Sequence, residues 1–305
     1  MPKWFRLLWI SSALLLTACA TTSNKNDWVY PPMAVPLQAN IQQEIQLARI
    51  EQILARADLK DEMRAKLLYE RGLIHDSVGL RDLARLDFSQ SLNIKPDQSD
   101  VYNVLGVYYT QNREFDLAYA AFDSAIELAD DNQYAQRNLG IALYYGQRYE
   151  MAKSELLAHY NDEPEDPYRA IWLYLTEMEI APDLAKQNLA SSLTHRTDNW
   201  GWSLVDMYLN KMSDKVFFEG ILKESRNNVL LAERLTEAYF YLGKRYQLKG
   251  DYSNAVSLYK LAMSNNVYEY VEHRYSLMEL GNIFTHIKQQ REDALLKESE
   301  TVPQS

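Results

Sequence analysis

What this chain of 305 residues lacks narrows its chemistry first. A single cysteine, Cys19, allows no internal disulfide and no CxxC pair. The five histidines (His75, His159, His195, His273 and His286) form no HExxH, and neither a glycine-rich phosphate loop nor a GxSxG turn occurs. Ser192, three residues before His195, has no nucleophile signature around it. Glu269 and His273 could share one helix face, but with no third ligand near in sequence the pair fits a structural contact better than a metal site. Carboxylates fall at scattered helical surface positions rather than in opposed pairs. No catalytic residue, metal or cofactor is therefore expected, and direct hydrolysis is disfavoured. Basic residues are also scarce, 32 against 42 acidic for a net charge of −10, and no basic stripe exists. Nucleic acid is an unsuitable ligand for such a chain, and an anionic polymer is disfavoured as a main electrostatic partner.

What is present is a threefold repeat. Gly72, Gly106 and Gly140 stand 34 residues apart, each followed twelve residues later by an alanine (Ala84, Ala118, Ala152) and four further on by Phe88, Phe122 or Leu156. A 34-residue period with a small residue at position 8, alanine at 20 and a large apolar residue at 24 is the mark of the tetratricopeptide repeat. Paired helices approach closely where one presents glycine and the other alanine, and the residue at 24 fills the space behind. The expected fold is all-α, a helix-turn-helix superhelix with non-repeat helices at both ends.

The remaining segments are placed around that stack. Residues 1–18 read as a signal segment: Lys3 and Arg6 precede an apolar run over 7–16 that is too short to remain as a membrane span. Cys19 follows Leu16-Thr17-Ala18, an order that resembles a bacterial lipobox, so Cys19 is the expected lipidation site. Ala20 in place of aspartate resembles lipoproteins sent to the outer membrane, facing the periplasm. Without Lys3 and Arg6 the chain carries 30 basic and 42 acidic residues, a net of −12. Residues 19–37 suit a lipidated tether punctuated by Pro31, Pro32 and Pro36. An amino-terminal helical segment covers 38–62, three repeats 63–166, and divergent helical repeats 167–235, where Tyr174 replaces the position-8 glycine. The register returns over 236–287 with Gly243, Ala255 and Tyr259, followed by a capping helix. Residues 288–305 are charged, aperiodic and contain Pro303, which predicts a disordered tail.

Stretches inside and outside the repeat signature carry a closer resemblance. They are Val35-Pro-Leu-Gln38, Glu44 through Leu54, Leu68-Tyr-Glu-Arg-Gly72, Leu105-Gly-Val-Tyr-Tyr-Thr110, Gly140-Ile-Ala-Leu-Tyr-Tyr-Gly146, Tyr241-Leu-Gly-Lys244 and Val271-Glu-His-Arg-Tyr275. With the lipobox and tether, the chain resembles the NlpI family of outer-membrane tetratricopeptide-repeat lipoproteins over nearly its full length, fading in the tail. The resemblance implies a homodimeric, non-enzymatic adaptor that docks the periplasmic tail-specific protease Prc and presents murein endopeptidases such as MepS, so setting how fast the wall is opened. A scaffold for another envelope complex, such as outer-membrane protein assembly, would share fold and compartment.

Repeat geometry points to a surface. Positions 2, 5, 9, 12 and 13 of each first helix face the concave groove, giving Tyr69, Asn103, Val107, Gln111, Tyr134, Arg137, Ile141, Tyr144 and Tyr145 as candidates for peptide or protein capture. Tyr144 and Tyr145 fit packing against an adjoining helix as well. Ile41, Ile45 and Ile50 on the amino-terminal helix are dimer candidates, and packing on the first repeat explains them equally.

Overall fold

Amphipathic segments separated by short polar turns fold here as antiparallel helix pairs. The computed structural model describes residues 31–301, so the signal segment, Cys19 and most of the tether lie outside the described residues. After a lone helix α1 (Ile41–Leu54) come the pairs α2 (Asp61–Ser77) with α3 (Arg81–Ile94), α4 (Ser99–Gln111) with α5 (Phe115–Leu128), and α6 (Gln133–Tyr145) with α7 (Tyr149–Asp162). A fourth pair, α8 (Pro167–Ile180) and α9 (Pro182–Ser192), leads through a short 3-10 turn to α10 (Trp202–Tyr208) and α11 (Asp214–Glu224). The last pair is α12 (Asn228–Leu248) with α13 (Tyr252–Ser264), and α14 (Val271–Thr301) ends the described chain. No strand occurs among the described residues.

The position-8 glycines are required by contact. A Cβ on Gly72 would fall 2.5 Å from the Phe88 ring, one on Gly106 2.5 Å from Phe122, and one on Gly243 2.8 Å from Tyr259. Four of the five pairs also turn in the same way. Gly79, Arg113, Gln147 and Gly250 all occupy position 15 of their repeats, and all have positive φ, between 61° and 82°. Their amides bond back to Asp76, Thr110, Tyr144 and Gln247 carbonyls at 2.9–3.0 Å, a left-handed helix end in which the turn amide satisfies a carbonyl of the last helical turn.

Several boundaries differ from those expected. Helix α12 begins at Asn228 rather than at the repeat start at 236, because Asn227 caps it through a side chain that accepts from the Leu230 amide at 2.9 Å. The tether is fixed at its end. Asn228 grips the Val35 backbone with two 2.8 Å hydrogen bonds, and Leu37 is held by the Asn265 carbonyl and the Asn266 side chain. The stretch over 288–301, expected to lack order, is the end of α14. Its i,i+4 contacts (Lys288 with Glu292, Gln289 with Asp293) and freedom from glycine and proline carry the helix onward; residues 302–305 of the expected tail lie outside the description.

Helices α12 and α14 together fill the stack, and α14 reaches back as far as α2. It crosses the first helices of the pairs: Arg274 pairs with Asp76 on α2, and Tyr275 packs 5.0 Å from the Tyr145 ring on α6 and 6.5 Å from Trp172 on α8. At its centre Glu279 is buried with Lys244 of α12 at 2.7 Å. Lys244 also donates to the Tyr144 hydroxyl at 2.7 Å, while Tyr145 and Gln247 donate to Glu279 at 2.9 Å. Burial alone would raise the Glu279 carboxyl; the ammonium and these donors outweigh it and hold it below its ordinary range.

Removing one partner of such a pair strands a buried charge, so Lys244→Met should lower stability by about 3–5 kcal/mol, read from urea denaturation. The double variant Lys244→Met, Glu279→Leu should recover most of that loss.

Candidate protein-binding groove

The predicted groove residues separate into two groups. Val107, Ile141, Tyr144 and Tyr145 are buried; of the two tyrosines, 7 % and 8 % exposed, Tyr144 lies against Lys244 of α12 and Tyr145 against Tyr275 of α14, and both are tied into the Lys244–Glu279 network. They are core, not open surface. Helices α12 and α14, a hundred residues or more downstream, supply the cover over the two tyrosines.

At the amino-terminal ends of the same helices the face stays open. Tyr134 is 67 % exposed, and the Arg137 guanidinium lies 5.5 Å from its ring centre. Asn103, half-buried, accepts from the Asn138 amide at 2.9 Å, and Tyr69, also half-buried, sits within the field of Asp100. Gln111 stands apart at the far end of α4, with its Nε2 lacking a hydrogen-bond partner among the described residues. The structure therefore brings Tyr134 and Arg137 together with Asp100 in a cleft of about 520 Å³ that also takes in His159, Glu163, Asp166 and Arg169.

The deeper wall was not among the sequence candidates. Arg169 is buried and spreads its guanidinium over the His159 carbonyl (2.5 Å), Gln133 (2.7 Å) and Glu163 (2.7 Å), with Asp166 at 3.6 Å. Asp166 caps α8 by accepting from the Tyr168 amide at 2.9 Å, and burial raises its carboxyl above the ordinary range. Burial, followed by repulsion from Arg169 and Arg137, pushes the His159 imidazole down to about 4. It is neutral at neutral pH. The Asp166-Pro167 step, an N-cap followed by proline opening a helix with Arg at the next turn, is the signal that marks this corner.

The positions weighed for catalysis are occupied structurally. Ser192 donates to the Leu189 carbonyl at 2.8 Å. Glu269 precedes α14 in a turn, while His273 accepts from Arg81 at 3.1 Å and packs on Tyr268, so these two do not converge as ligands. Among the described residues, no group of three or more metal-ligating side chains is assembled, and no helix is long and apolar enough to cross a membrane.

A family profile for the tetratricopeptide repeat matches residues 99–132, which are α4, α5 and the turn after them. The fold is a tetratricopeptide-repeat solenoid. Among solved structures, the Rap conjugation gene regulator of plasmid pLS20, in complex with the Phr* peptide, is similar at 14 % identity and a TM-score of 0.52, over 79 % of this chain and 69 % of that one. PilF of Pseudomonas aeruginosa matches at 19 % identity and 0.44, over 72 % and 99 %. PilW, a type IV pilus biogenesis factor, matches at 18 % and 0.44, over 78 % and 100 %. At these identities the likeness concerns the fold.

The buried neutral histidine predicts a pH dependence. Its pKa is lower in the folded chain than the unfolded value near 6.5, so unfolding takes up a proton, and stability present at neutral pH is lost as pH falls from about 6.5 to about 4. His159→Gln should flatten that part of the profile, by at most about 3 kcal/mol, in urea titrations run at pH 7 and pH 4.5.

Proposed function

We propose that this protein is a non-enzymatic adaptor, anchored through lipidated Cys19 to the outer membrane and facing the periplasm. It binds a Prc-like tail-specific protease and presents MepS-like peptidoglycan endopeptidases to it. The observation that carries the adaptor reading is the open end of the repeat face: an exposed tyrosine and a guanidinium beside a carboxylate, on rigid helices, a set suited to capturing a segment of another protein by stacking and directed hydrogen bonds. The Rap regulator, of similar fold, was solved holding a peptide, which agrees with peptide capture. The choice of protease and client rests on the resemblance to the NlpI family.

The dimer is assigned to the amino-terminal helix. Ile41 and Ile45 are 68 % and 47 % exposed, an apolar stripe on α1 that its own first repeat does not cover. Ile50 is buried and belongs to the packing of α1 within its own chain.

The test of the adaptor is reconstitution. Protein lacking the first 19 residues, the cognate protease and the endopeptidase are mixed, and loss of the endopeptidase is followed with time. Acceleration that falls at least tenfold with Tyr134→Ala, Arg137→Glu is the expected result. Tyr144 is unsuited as a probe, because its truncation would open the buried network. Acceleration untouched by the variant would place the client elsewhere, and its absence with wild-type protein would favour a scaffold for another envelope complex.

For the dimer, Ile41→Glu, Ile45→Glu should sediment as a folded monomer. Ile50→Glu should instead lower the melting temperature. A dimer that survives the double substitution removes α1 from the interface.

A further inference from the structure

The chain is acidic, yet one pocket is lined by guanidinium groups. Between the start of α3, the end of α4 and the middle of α14 lies a cavity of about 250 Å³, walled by Arg81, Arg85, Arg113 and Arg274, with Asp82 as the carboxylate among its lining residues. We propose that this pocket is an oxyanion-binding site, taking the carboxylate or phosphate group of a ligand. The inference is independent of the adaptor reading.

The positive charge is not balanced from within. Asp76, behind the pocket, is committed: Arg274 donates to one of its oxygens and the Tyr108 hydroxyl to the other at 2.5 Å. Arg81, Arg85 and Arg113 form no ion pair among the described residues. Arg81 meets the ring nitrogen of His273, an imidazole that burial and the two neighbouring arginines keep uncharged near neutral pH, and Arg113 donates to the Asn282 amide oxygen. Four cations thus face three carboxylates: Asp82 in the lining, Asp76, already spent, and Glu269, near enough to Arg274 to act on it.

The second observation is a pair of unused donors. Arg274 is only 5 % exposed, and its Nη1 finds no hydrogen-bond partner among the described residues; neither does the buried Nε2 of Gln111, on the same wall. An unpaired buried donor is unfavourable, the more so when it is charged. Both residues line the cavity, and the planar fork of arginine matches the oxygen spacing of carboxylate and phosphate.

Because Arg274 and Gln111 come from different helices, a bound oxyanion would also join α14 to α4, so its binding should tighten the closed end of the groove.

The experiment is calorimetric titration of the full-length protein in detergent micelles at fixed ionic strength, with inorganic phosphate in one arm and glutarate in the other. Saturable binding is expected in at least one arm, and which arm responds identifies the anion. Arg85→Gln, Arg113→Gln should weaken it at least tenfold. Asp82→Asn should strengthen it severalfold, and Arg49→Gln, on exposed α1, should leave it unchanged. The melting temperature of each variant without anion serves as the check on folding. No saturable binding in either arm, or binding equal in the wild type and the double arginine variant, would overturn the proposal.

Discussion

A lysine and a glutamate buried against each other hold this solenoid in the form it has. Lys244 and Glu279 are paid for in desolvation by each other and by the hydroxyls and amide around them. A charge so placed tolerates little displacement, because every hydrogen bond around it must persist. The geometry of α14 follows from that demand: Tyr275 is seated against Tyr145 and Trp172, Arg274 reaches Asp76, and the repeat face closes at one end while it stays open at the other.

Local rules made the repeat pairs legible. Gly72 against Phe88 and Gly106 against Phe122 are contacts sixteen residues apart, and the 34-residue register states them directly. What joins one end of the chain to the other was not legible. Tyr145 meets Glu279 across 134 residues, and no periodicity in either segment announces the partner. The sequence of α14 reads as a capping helix with a disordered tail, and its reach into the core is not expected from it, since Glu272, His273, Arg274 and Glu279 are residues that burial ordinarily excludes.

The groove shows the same division. Position in the repeat assigns Tyr134 and Arg137 to the same face as Tyr144 and Tyr145, because that assignment depends on helix geometry alone. Whether an inward residue meets solvent or its own chain depends on what lies across from it. His159 and Arg169 escaped notice because they sit on the second helix of one pair and the first of the next, and become neighbours only through the stacking of pairs. Arg81 and Arg113 had a fainter signal: arginines at helix boundaries, one of them where a sister repeat has glycine.

The reach of α14 has a kinetic side. A plain repeat stack folds through contacts between neighbours, and each pair can form as soon as the next has left the synthesis or export machinery. Here Asp76 awaits Arg274, 198 residues later. Loop closure over that distance raises contact order and delays the final docking. Until α12 and α14 arrive, Tyr144, Tyr145 and Trp172 lack the partners that cover them, so the span between synthesis of α6 and docking of α14 leaves an aromatic surface open to chaperones and to aggregation.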